Sequence, residues 1–190
     1  MVNRNPQSAS SILARAQGCL LGQLAGDALG GLVEFMSSED IRTRYPKGIR
    51  NLADDGTWDT IAGQPTDDSE MALILARTLV EHGNYKAENA RKAYIFWLDS
   101  HPFDCGNSVS SGLRDHPNFE SQANGAMMRI SPLGIFGPEY DLPMVAEWAH
   151  QDAVITHPHP VCQQANALFG MAIAYAVRTG SMAAEVYQHI

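Results

Sequence analysis

The sequence is poor in cysteine and in basic residues, and it lacks a long uninterrupted hydrophobic run. Its three cysteines in 190 residues stand far apart and give no disulfide framework, so a reducing, cytoplasmic location is expected. Lysine and arginine number 13 against 21 acidic residues, and the net charge of −8 excludes non-specific nucleic-acid binding, which needs clustered basic residues. The longest apolar stretch, residues 18–35, is interrupted by Gln23, Asp27 and Glu34. Charges inside an apolar stretch argue against a membrane span.

Alternating strand patterns and internal repeats are also absent, and the apolar spacing predicts an all-α fold. Hydrophobic residues make up 45% of the chain, which is enough for one globular domain. Residues 1–11 lack the apolar core of a signal peptide and are expected to form a flexible N-terminus, with Ser10 or Ser11 capping the first helix. The domain then occupies residues 12–190. Helices are predicted over residues 12–30, 66–82, 86–99, 107–114, 126–136, 143–153 and 161–178, with one more after Ser181 as its N-cap.

Four glycines recur at four-residue spacing in the first predicted helix, at Gly18, Gly22, Gly26 and Gly30. At about 100° per residue, a step of four places them on one slowly winding stripe. Each glycine costs up to ~1 kcal/mol of helix propensity relative to alanine. We therefore expect another backbone to pack closely against this stripe.

The sharpest polar segment is Thr66-Asp67-Asp68-Ser69-Glu70, which leads directly into an apolar helical run. Helix capping explains it in part, because a threonine N-cap and acidic residues both favour a helix N-terminus. Adjacent carboxylates also repel one another, and a divalent cation relieves that repulsion. Hydroxyl and carboxylate oxygens are hard ligands that suit Mg²⁺, Mn²⁺ or Ca²⁺ rather than zinc. The residues alone leave both interpretations open.

Two further acids, Asp27 and Glu34, stand in apolar, glycine-rich surroundings near the end of the first predicted helix. Buried carboxylates need hydrogen-bond partners or a cation, whereas acids on an exposed helix end need neither, and both interpretations stay open. Glu34 also precedes residues 36–65, which are rich in proline, glycine and charge and predict a long loop. Loops of this length inside compact domains are commonly functional.

Three more segments place polar residues in predicted loops. Residues 103–107, Phe-Asp-Cys-Gly-Asn, are typical of an Asx turn. Residues 124–129, Asn-Gly-Ala-Met-Met-Arg, put a glycine before a predicted helix, where backbone amides can meet an anionic ligand. His157, His159 and Cys162 contain metal-ligating residue types, but their spacing fits no standard zinc site. A loop that leads into a helix is therefore predicted at this last segment.

Taken in order, these segments resemble the ADP-ribosylglycohydrolase family. The resemblance covers residues 15–180 and rests on residues 18–35, 66–69, 103–107, 124–133 and 156–158. One such segment alone is a common chance match, whereas five segments in the same order make the match specific. The resemblance implies a compact orthogonal helical bundle that hydrolyses the N- or O-glycosidic bond between ADP-ribose and an arginine or serine side chain. ADP-ribosylated proteins or ADP-ribose itself are the implied partners.

The resemblance also implies roles for nine residues of this sequence around a centre of two Mg²⁺ or Mn²⁺ ions. The implied metal ligands are Thr66, Asp67 and Asp68; the implied catalytic groups are Glu34 and Asp104; the implied substrate contacts are Asn107, Asn124, Gly125 and His157. Two cations would hold the ribose hydroxyls and activate a water, while an acidic side chain moves the proton.

The family pattern places a second Asp-x-Asp segment after the Thr-His-Pro region, and no such segment follows in these 190 residues. The sequence is therefore expected to match the N-terminal portion of a family member, with an incomplete metal shell. Self-association or a separate C-terminal piece is the expected way to cover the rest of the core. An alternative function is non-catalytic, either ADP-ribose binding or a structural, crystallin-like role.

Overall fold

The structure is a computed structural model that describes residues 6–190, with side chains from residue 11 onward. Within that range it contains α-helices, two short 3₁₀ turns (127–129 and 137–139) and no strand beyond an isolated bridge between Asp55 and Thr60. The all-α prediction is therefore confirmed. The helices are α1 (Pro6–Gly30), α2 (Ser38–Arg44), α3 (Asp67–His82), α4 (Ala87–Leu98), α5 (Asn107–Leu113), α6 (Ser131–Phe136), α7 (Leu142–Val154), α8 (Pro160–Thr179) and α9 (Ala183–His189).

Three predicted helix starts are wrong. In the helix predicted over residues 126–136, residues 127–129 form a 3₁₀ turn and α6 begins only at Ser131. Helix α1 begins at Pro6, whose fixed φ suits a first helical position, so neither Ser10 nor Ser11 is its N-cap. Residues 6–11 of the predicted flexible N-terminus thus belong to α1, and residues 1–5 lie outside the described residues. Helix α9 has Met182 as its N-cap rather than Ser181, because the Glu185 carboxylate accepts a hydrogen bond from the Met182 amide at 2.9 Å.

The core lies between α3, α4, α6, α7 and α8. Helix α3 supplies Met71, Leu75 and Leu79 at a four-residue spacing, and all three are buried. Helix α7 packs along α8, and α6 packs against α8 at Gly134. A Cβ on Gly134 would lie 2.6 Å from the Cβ of Ile173, so the close crossing requires glycine. Helix α3 packs against α4 and α6 in this core.

A buried ion pair ties the 3₁₀ turn at 127–129 to α7 and α4. Arg129 and Asp152 are both 0% exposed, and Arg129 Nε donates to Asp152 Oδ1 at 2.9 Å. The hydroxyls of Tyr94 and Tyr85 donate to the other carboxylate oxygen, at 2.9 and 3.3 Å. The guanidinium also lies 4.4 Å from the centroid of the Tyr94 ring. Every charge in this cluster is compensated, as burial requires.

The glycine stripe of α1 contradicts the close packing expected from the sequence. Gly18, Gly22, Gly26 and Gly30 are all exposed, and a Cβ added at any of them would meet nothing within 4 Å. Helix α1 contacts the rest of the described chain through another face, on which Gln23 donates to the carbonyls of Asp68 and Met128. Between residues 6 and 190, no helix is long and apolar enough to cross a membrane.

Candidate active site

The predicted site residues meet at one cleft of about 430 Å³ beside the N-terminus of α3. It is lined by residues from the turn after α1, the loop after α2, the start of α3, the segment before α5 with the first turn of α5, and the loops around residues 124 and 157. The predicted residues in its lining are Glu34, Asp67, Asp68, Asp104, Asn107, Asn124, Gly125 and His157. Thr66 instead lines an adjoining cavity of about 310 Å³, together with Asp27, Glu34 and Asp68.

Asp27 caps helix α3 from a different helix. Its carboxylate accepts hydrogen bonds from the Thr66 hydroxyl at 2.7 Å, the Thr66 amide at 3.1 Å and the Ser69 amide at 3.1 Å. Thr66 occupies the N-cap position, yet its side chain makes no capping hydrogen bond. Of the two interpretations left open for this segment, capping is confirmed for the position of Thr66 but not for its side chain, because the carboxylate of Asp27 accepts from the free amides. This contact fixes the end of α1 against the start of α3.

Asp67 and Asp68 are held side by side in a poorly solvated position. Burial, together with the negative charges of Asp67 and Asp27, raises the pKa of Asp68 to about 7. Burial also raises the pKa of Asp67, against the effect of the Gly106 amide that donates to its Oδ2 at 3.1 Å. The third acid of the segment, Glu70, turns away and accepts a hydrogen bond from the Trp97 indole at 2.8 Å. The repulsion is thus concentrated on Asp67 and Asp68.

These two carboxylates fit a hard divalent cation. Magnesium is commonly held by one or two carboxylates, with water and substrate oxygens as the other ligands, and a cation would stabilise the charged form of both carboxylates, which burial and the neighbouring acids disfavour. In the described part of the chain, no group of three or more histidine, cysteine, aspartate or glutamate side chains is placed to hold a metal ion. Ligands beyond Asp67, Asp68 and Thr66 would therefore come from water, substrate or another polypeptide segment.

Glu34 is held at the mouth of the cleft by the loop that follows α2. The Trp58 indole donates to Glu34 Oε2 at 2.8 Å, and the Thr57 hydroxyl donates to the Glu34 carbonyl. Phe35 takes a positive φ of 61° and is 81% exposed, which is unusual for a bulky side chain. Its ring packs edge-on against Trp58, and Trp58 packs likewise against Phe103. Sequence reasoning predicted a functional loop here but did not identify Thr57 or Trp58.

The segment before α5 adds a carboxyl and a thiol to the cleft. Burial raises the pKa of Asp104 to about 7, and the charges of Asp67 and Glu34 contribute to the shift. Burial raises the pKa of Cys105 to about 11, so this thiol is protonated at neutral pH and is a poor nucleophile. Asn107 begins α5 and is exposed to the cleft. Asp104 is therefore the group of this segment best suited to exchange a proton near neutral pH.

The wall beside these acids is formed by Asn124, Gly125 and His157. Asn124 is exposed, Gly125 is buried, and the imidazole of His157 is 0% exposed beneath Gly125. A Cβ on Gly125 would lie 2.8 Å from His157 Cε1, so this close approach requires glycine. Burial and the nearby Arg129 charge lower the pKa of His157 to about 4, and the ring is neutral at pH 7. The wall thus presents polar but uncharged groups.

His159 and Cys162, which stand near His157 in the sequence, have structural roles. His159 is the N-cap of α8, and its Nδ1 accepts a hydrogen bond from the Val161 amide at 3.2 Å. The Cys162 thiol lies 3.5 Å from the carbonyl oxygens of Ser121 and Ala123. The prediction of a loop leading into a helix agrees with these contacts.

The helical fold and the acidic cleft define a known class of proteins, the ADP-ribosylglycohydrolases, whose family model matches residues 8–190. The chain is 36% identical over 179 residues to an ADP-ribosyl-[dinitrogen reductase] glycohydrolase of Rhodospirillum rubrum, a match covering 88% of this chain and 59% of the relative. It is 30% identical over 141 residues to an ADP-ribosylarginine hydrolase, Tri1, of Pseudomonas putida, covering 65% and 36% of the two chains. A solved structure titled ADP-ribosylglycohydrolase-related protein complex has the same fold, with a TM-score of 0.77, 23% identity and coverage of 90% and 59%.

The chain therefore belongs to the ADP-ribosylglycohydrolase family, and the predicted resemblance is confirmed. It spans about three fifths of the length of the Rhodospirillum rubrum relative. The residue roles that the resemblance implies remain predictions. The structure adds to them the capping residue Asp27 and the loop residues Thr57 and Trp58.

Proposed function

We propose that this chain acts as a metal-dependent hydrolase that cleaves the glycosidic bond between ADP-ribose and an arginine side chain of a protein. The observation that carries the proposal is the single cleft in which Asp67, Asp68 and Asp104 lie with the Asn124–His157 wall. Membership of the ADP-ribosylglycohydrolase family supports the reaction class. A relative named as an ADP-ribosylarginine hydrolase supports arginine over the serine linkage.

The metal part of the proposal assigns Asp67 and Asp68, with Thr66 beside them, as ligands of Mg²⁺ or Mn²⁺. Two ions would occupy a complete site. When bound, the cations supply Lewis acidity toward the sugar hydroxyls and the attacking water. The raised pKa values of Asp67 and Asp68 support this assignment, because a bound cation would stabilise the charged carboxylates that burial disfavours.

The proton chemistry is assigned to Asp104 and Glu34. Hydrolysis adds a water oxygen to the sugar carbon and breaks the carbon–nitrogen bond, and the guanidino nitrogen keeps the bonding electrons and gains a proton. The sugar carbon develops oxocarbenium character as that bond breaks. Asp104, with a pKa of about 7, takes the proton from water or returns it to the leaving nitrogen. Glu34 is oriented by Trp58 and stabilises the positive charge on the sugar or guanidino group.

Substrate binding is assigned to Asn107, Asn124, Gly125 and His157. These residues line the cleft beside the acids, and their amide, backbone and neutral imidazole groups can form hydrogen bonds with a ribose or diphosphate. An ADP-ribosylated protein is then the partner, with its modified side chain at the mouth near Glu34.

A second candidate function is ADP-ribose binding without turnover. The observation that favours it is the lack, among residues 6–190, of a third carboxylate, histidine or cysteine placed to complete a metal group with Asp67 and Asp68. A structural, crystallin-like use of the fold is a further form of this candidate.

The test measures release of free ADP-ribose from an ADP-ribosyl-arginine peptide by the 190-residue chain, with Mg²⁺ and with a chelator. Calorimetry measures Mg²⁺ and ADP-ribose binding in parallel. Asp67→Asn and Asp68→Asn should each lower Mg²⁺ affinity at least tenfold and abolish release. Asp99→Asn, which alters an exposed aspartate after α4, is the matched control and should change neither.

The possible results separate the candidates. Mg²⁺-dependent release confirms the hydrolase, and ADP-ribose binding without release identifies the binding module. Unchanged Mg²⁺ affinity in both aspartate variants would show that the metal assignment is wrong. An ADP-ribosyl-serine peptide run in the same assay decides between the two linkages.

A further inference from the structure

His157 has one ring nitrogen with no partner. Its Nε2 is buried and makes no hydrogen bond to any residue in the described range, although the ring lines the cleft. A buried polar atom without a partner has lost its bonds to water without replacement, which destabilises the folded state. An atom of this kind in a cleft wall indicates a ligand group that completes the hydrogen bond.

The other ring nitrogen is hydrogen-bonded to Thr156, which is in turn hydrogen-bonded to Arg129. His157 Nδ1 lies 2.8 Å from the hydroxyl of Thr156. The same hydroxyl accepts a hydrogen bond from Arg129 Nη1 at 2.9 Å. Arg129 is fixed in turn by two bonds to Asp152, one to its carboxylate and one to its carbonyl, each 2.9 Å. All four residues of this hydrogen-bonded series are 0% exposed.

The direction of these hydrogen bonds follows from what each group can donate. A guanidinium only donates, so the Thr156 oxygen is the acceptor toward Arg129. The Thr156 hydroxyl has one proton, and His157 Nδ1 is its only hydrogen-bond partner other than Arg129 among the described residues. That proton therefore points to Nδ1, which must be unprotonated to accept it. The ring proton of a neutral imidazole then lies on Nε2.

We infer that Arg129 and Thr156 are positioning residues that fix His157 as a neutral Nε2–H donor for an acceptor oxygen of the ligand in the cleft. The inference deepens the proposed function and rests on it for the identity of that ligand, which is ADP-ribose. Arg129 contacts both segments of the wall, because its Nη1 donates to the Gly125 carbonyl at 3.1 Å as well as to Thr156. One buried guanidinium thereby sets the backbone at Gly125 and the tautomer of His157.

The electrostatic setting agrees with this assignment. Burial and the Arg129 charge lower the pKa of His157 to about 4, so the imidazolium form, which would donate from both nitrogens, is not populated at neutral pH. Glycine at position 125 leaves room for the ring, since an added Cβ would lie 3.1 Å from Nε2.

The first test reads the tautomer directly by long-range ¹H–¹⁵N NMR of the labelled 190-residue chain at pH 7. The His157 signals are assigned by their loss in His157→Gln. The expected spectrum shows a protonated Nε2 and an unprotonated Nδ1. Thr156→Val should remove this preference, Thr156→Ser should keep it, and Thr78→Val, which deletes a buried hydroxyl of α3 bonded to Ile74, should leave it unchanged. A protonated Nδ1 in the wild-type chain would overturn the inference whether or not Thr156→Val folds.

The second test measures ADP-ribose affinity by calorimetry. Thr156→Val should weaken binding about tenfold, the equivalent of about 1.4 kcal/mol, while Thr156→Ser and Thr78→Val stay within twofold of wild type. Equal affinity in Thr156→Val and wild type would overturn the positioning role. A chain that shows the expected tautomer but binds no ADP-ribose would refute the proposed function and the ligand assignment, and would leave the role of Arg129 and Thr156 in fixing the ring confirmed.

Discussion

Replacing Gly18 and Gly22 by alanine should stabilise this chain, although glycine stripes usually mark tight contacts. Both residues lie inside α1, both are exposed, and an added Cβ at either position meets nothing within 4 Å. Alanine is favoured over glycine in a helix interior by about 0.5–1 kcal/mol, because glycine loses more conformational freedom on folding. The double variant Gly18→Ala/Gly22→Ala should therefore gain about 1–2 kcal/mol. For a chain of this size that raises Tm by about 2–8 °C.

The assay is thermal and urea denaturation of the 190-residue chain, followed by circular dichroism, with sedimentation to record the oligomeric state. Gly134→Ala is the opposite control, because its Cβ would lie 2.6 Å from the Cβ of Ile173, and it should destabilise by about 1–3 kcal/mol. A double variant that is neutral or destabilised would refute the reasoning. A simultaneous change in oligomeric state would indicate that another copy of the chain packs on the stripe.

Three further predictions address the site and its support. Arg129→Met should destabilise the chain by about 3–5 kcal/mol in urea denaturation, because it leaves the Asp152 carboxylate buried without its counter-charge; a loss below about 1 kcal/mol would contradict this. Gly125→Ala should reduce ADP-ribose affinity at least tenfold by calorimetry, since its Cβ would lie 2.8 Å from the His157 ring; an unchanged Kd would disprove the tight wall. The raised pKa of Asp104 means that the folded state binds the proton more tightly than the unfolded state, so this group lowers stability as the pH rises from about 4 to about 7. Asp104→Asn should therefore have a higher Tm than wild type at pH 8 but not at pH 4, and equal Tm values at pH 8 would show that the shift is absent.

Helix positions were the part of the fold that the sequence predicted well. Apolar spacing located α3 and α8, and Gly83 and Gly180 end them in the left-handed conformation that favours glycine. Exact helix starts were less predictable, because they depend on groups that are distant in sequence. The N-terminus of α3 is capped by Asp27, 39 residues upstream of Thr66, and no local pattern encodes that contact.

The candidate site was predictable as a set of segments but not as an arrangement. Motif order identified residues that share one cleft, including Glu34, Asp104 and His157. The groups that hold those residues were missed, because Trp58 and Arg129 act through tertiary contacts that carry no sequence periodicity. The expected close packing on the glycine stripe was wrong for a related reason. The four-residue spacing of the glycines shows that one face of α1 lacks side chains, but it does not show whether another element packs there. The metal ions, the linkage and the cytoplasmic location stay predictions.

In the loop that follows α2, the residues that contact Glu34 and its neighbours are different from the exposed residues that set the loop's length. Residues 56–58 form the anchor of this loop. Gly56 lies against the Gly31 backbone, where an added Cβ would be 2.7 Å from the carbonyl oxygen. Thr57 and Trp58 donate hydrogen bonds to the Glu34 carbonyl and carboxylate. Residues 50–54 just before the anchor are exposed. Doubling the length of a flexible loop costs only about 0.6 kcal/mol in closure entropy. Residues can therefore be added before the anchor at little cost in stability, and a variant with a longer loop at residues 50–54 should still hold Glu34 in place through Thr57 and Trp58.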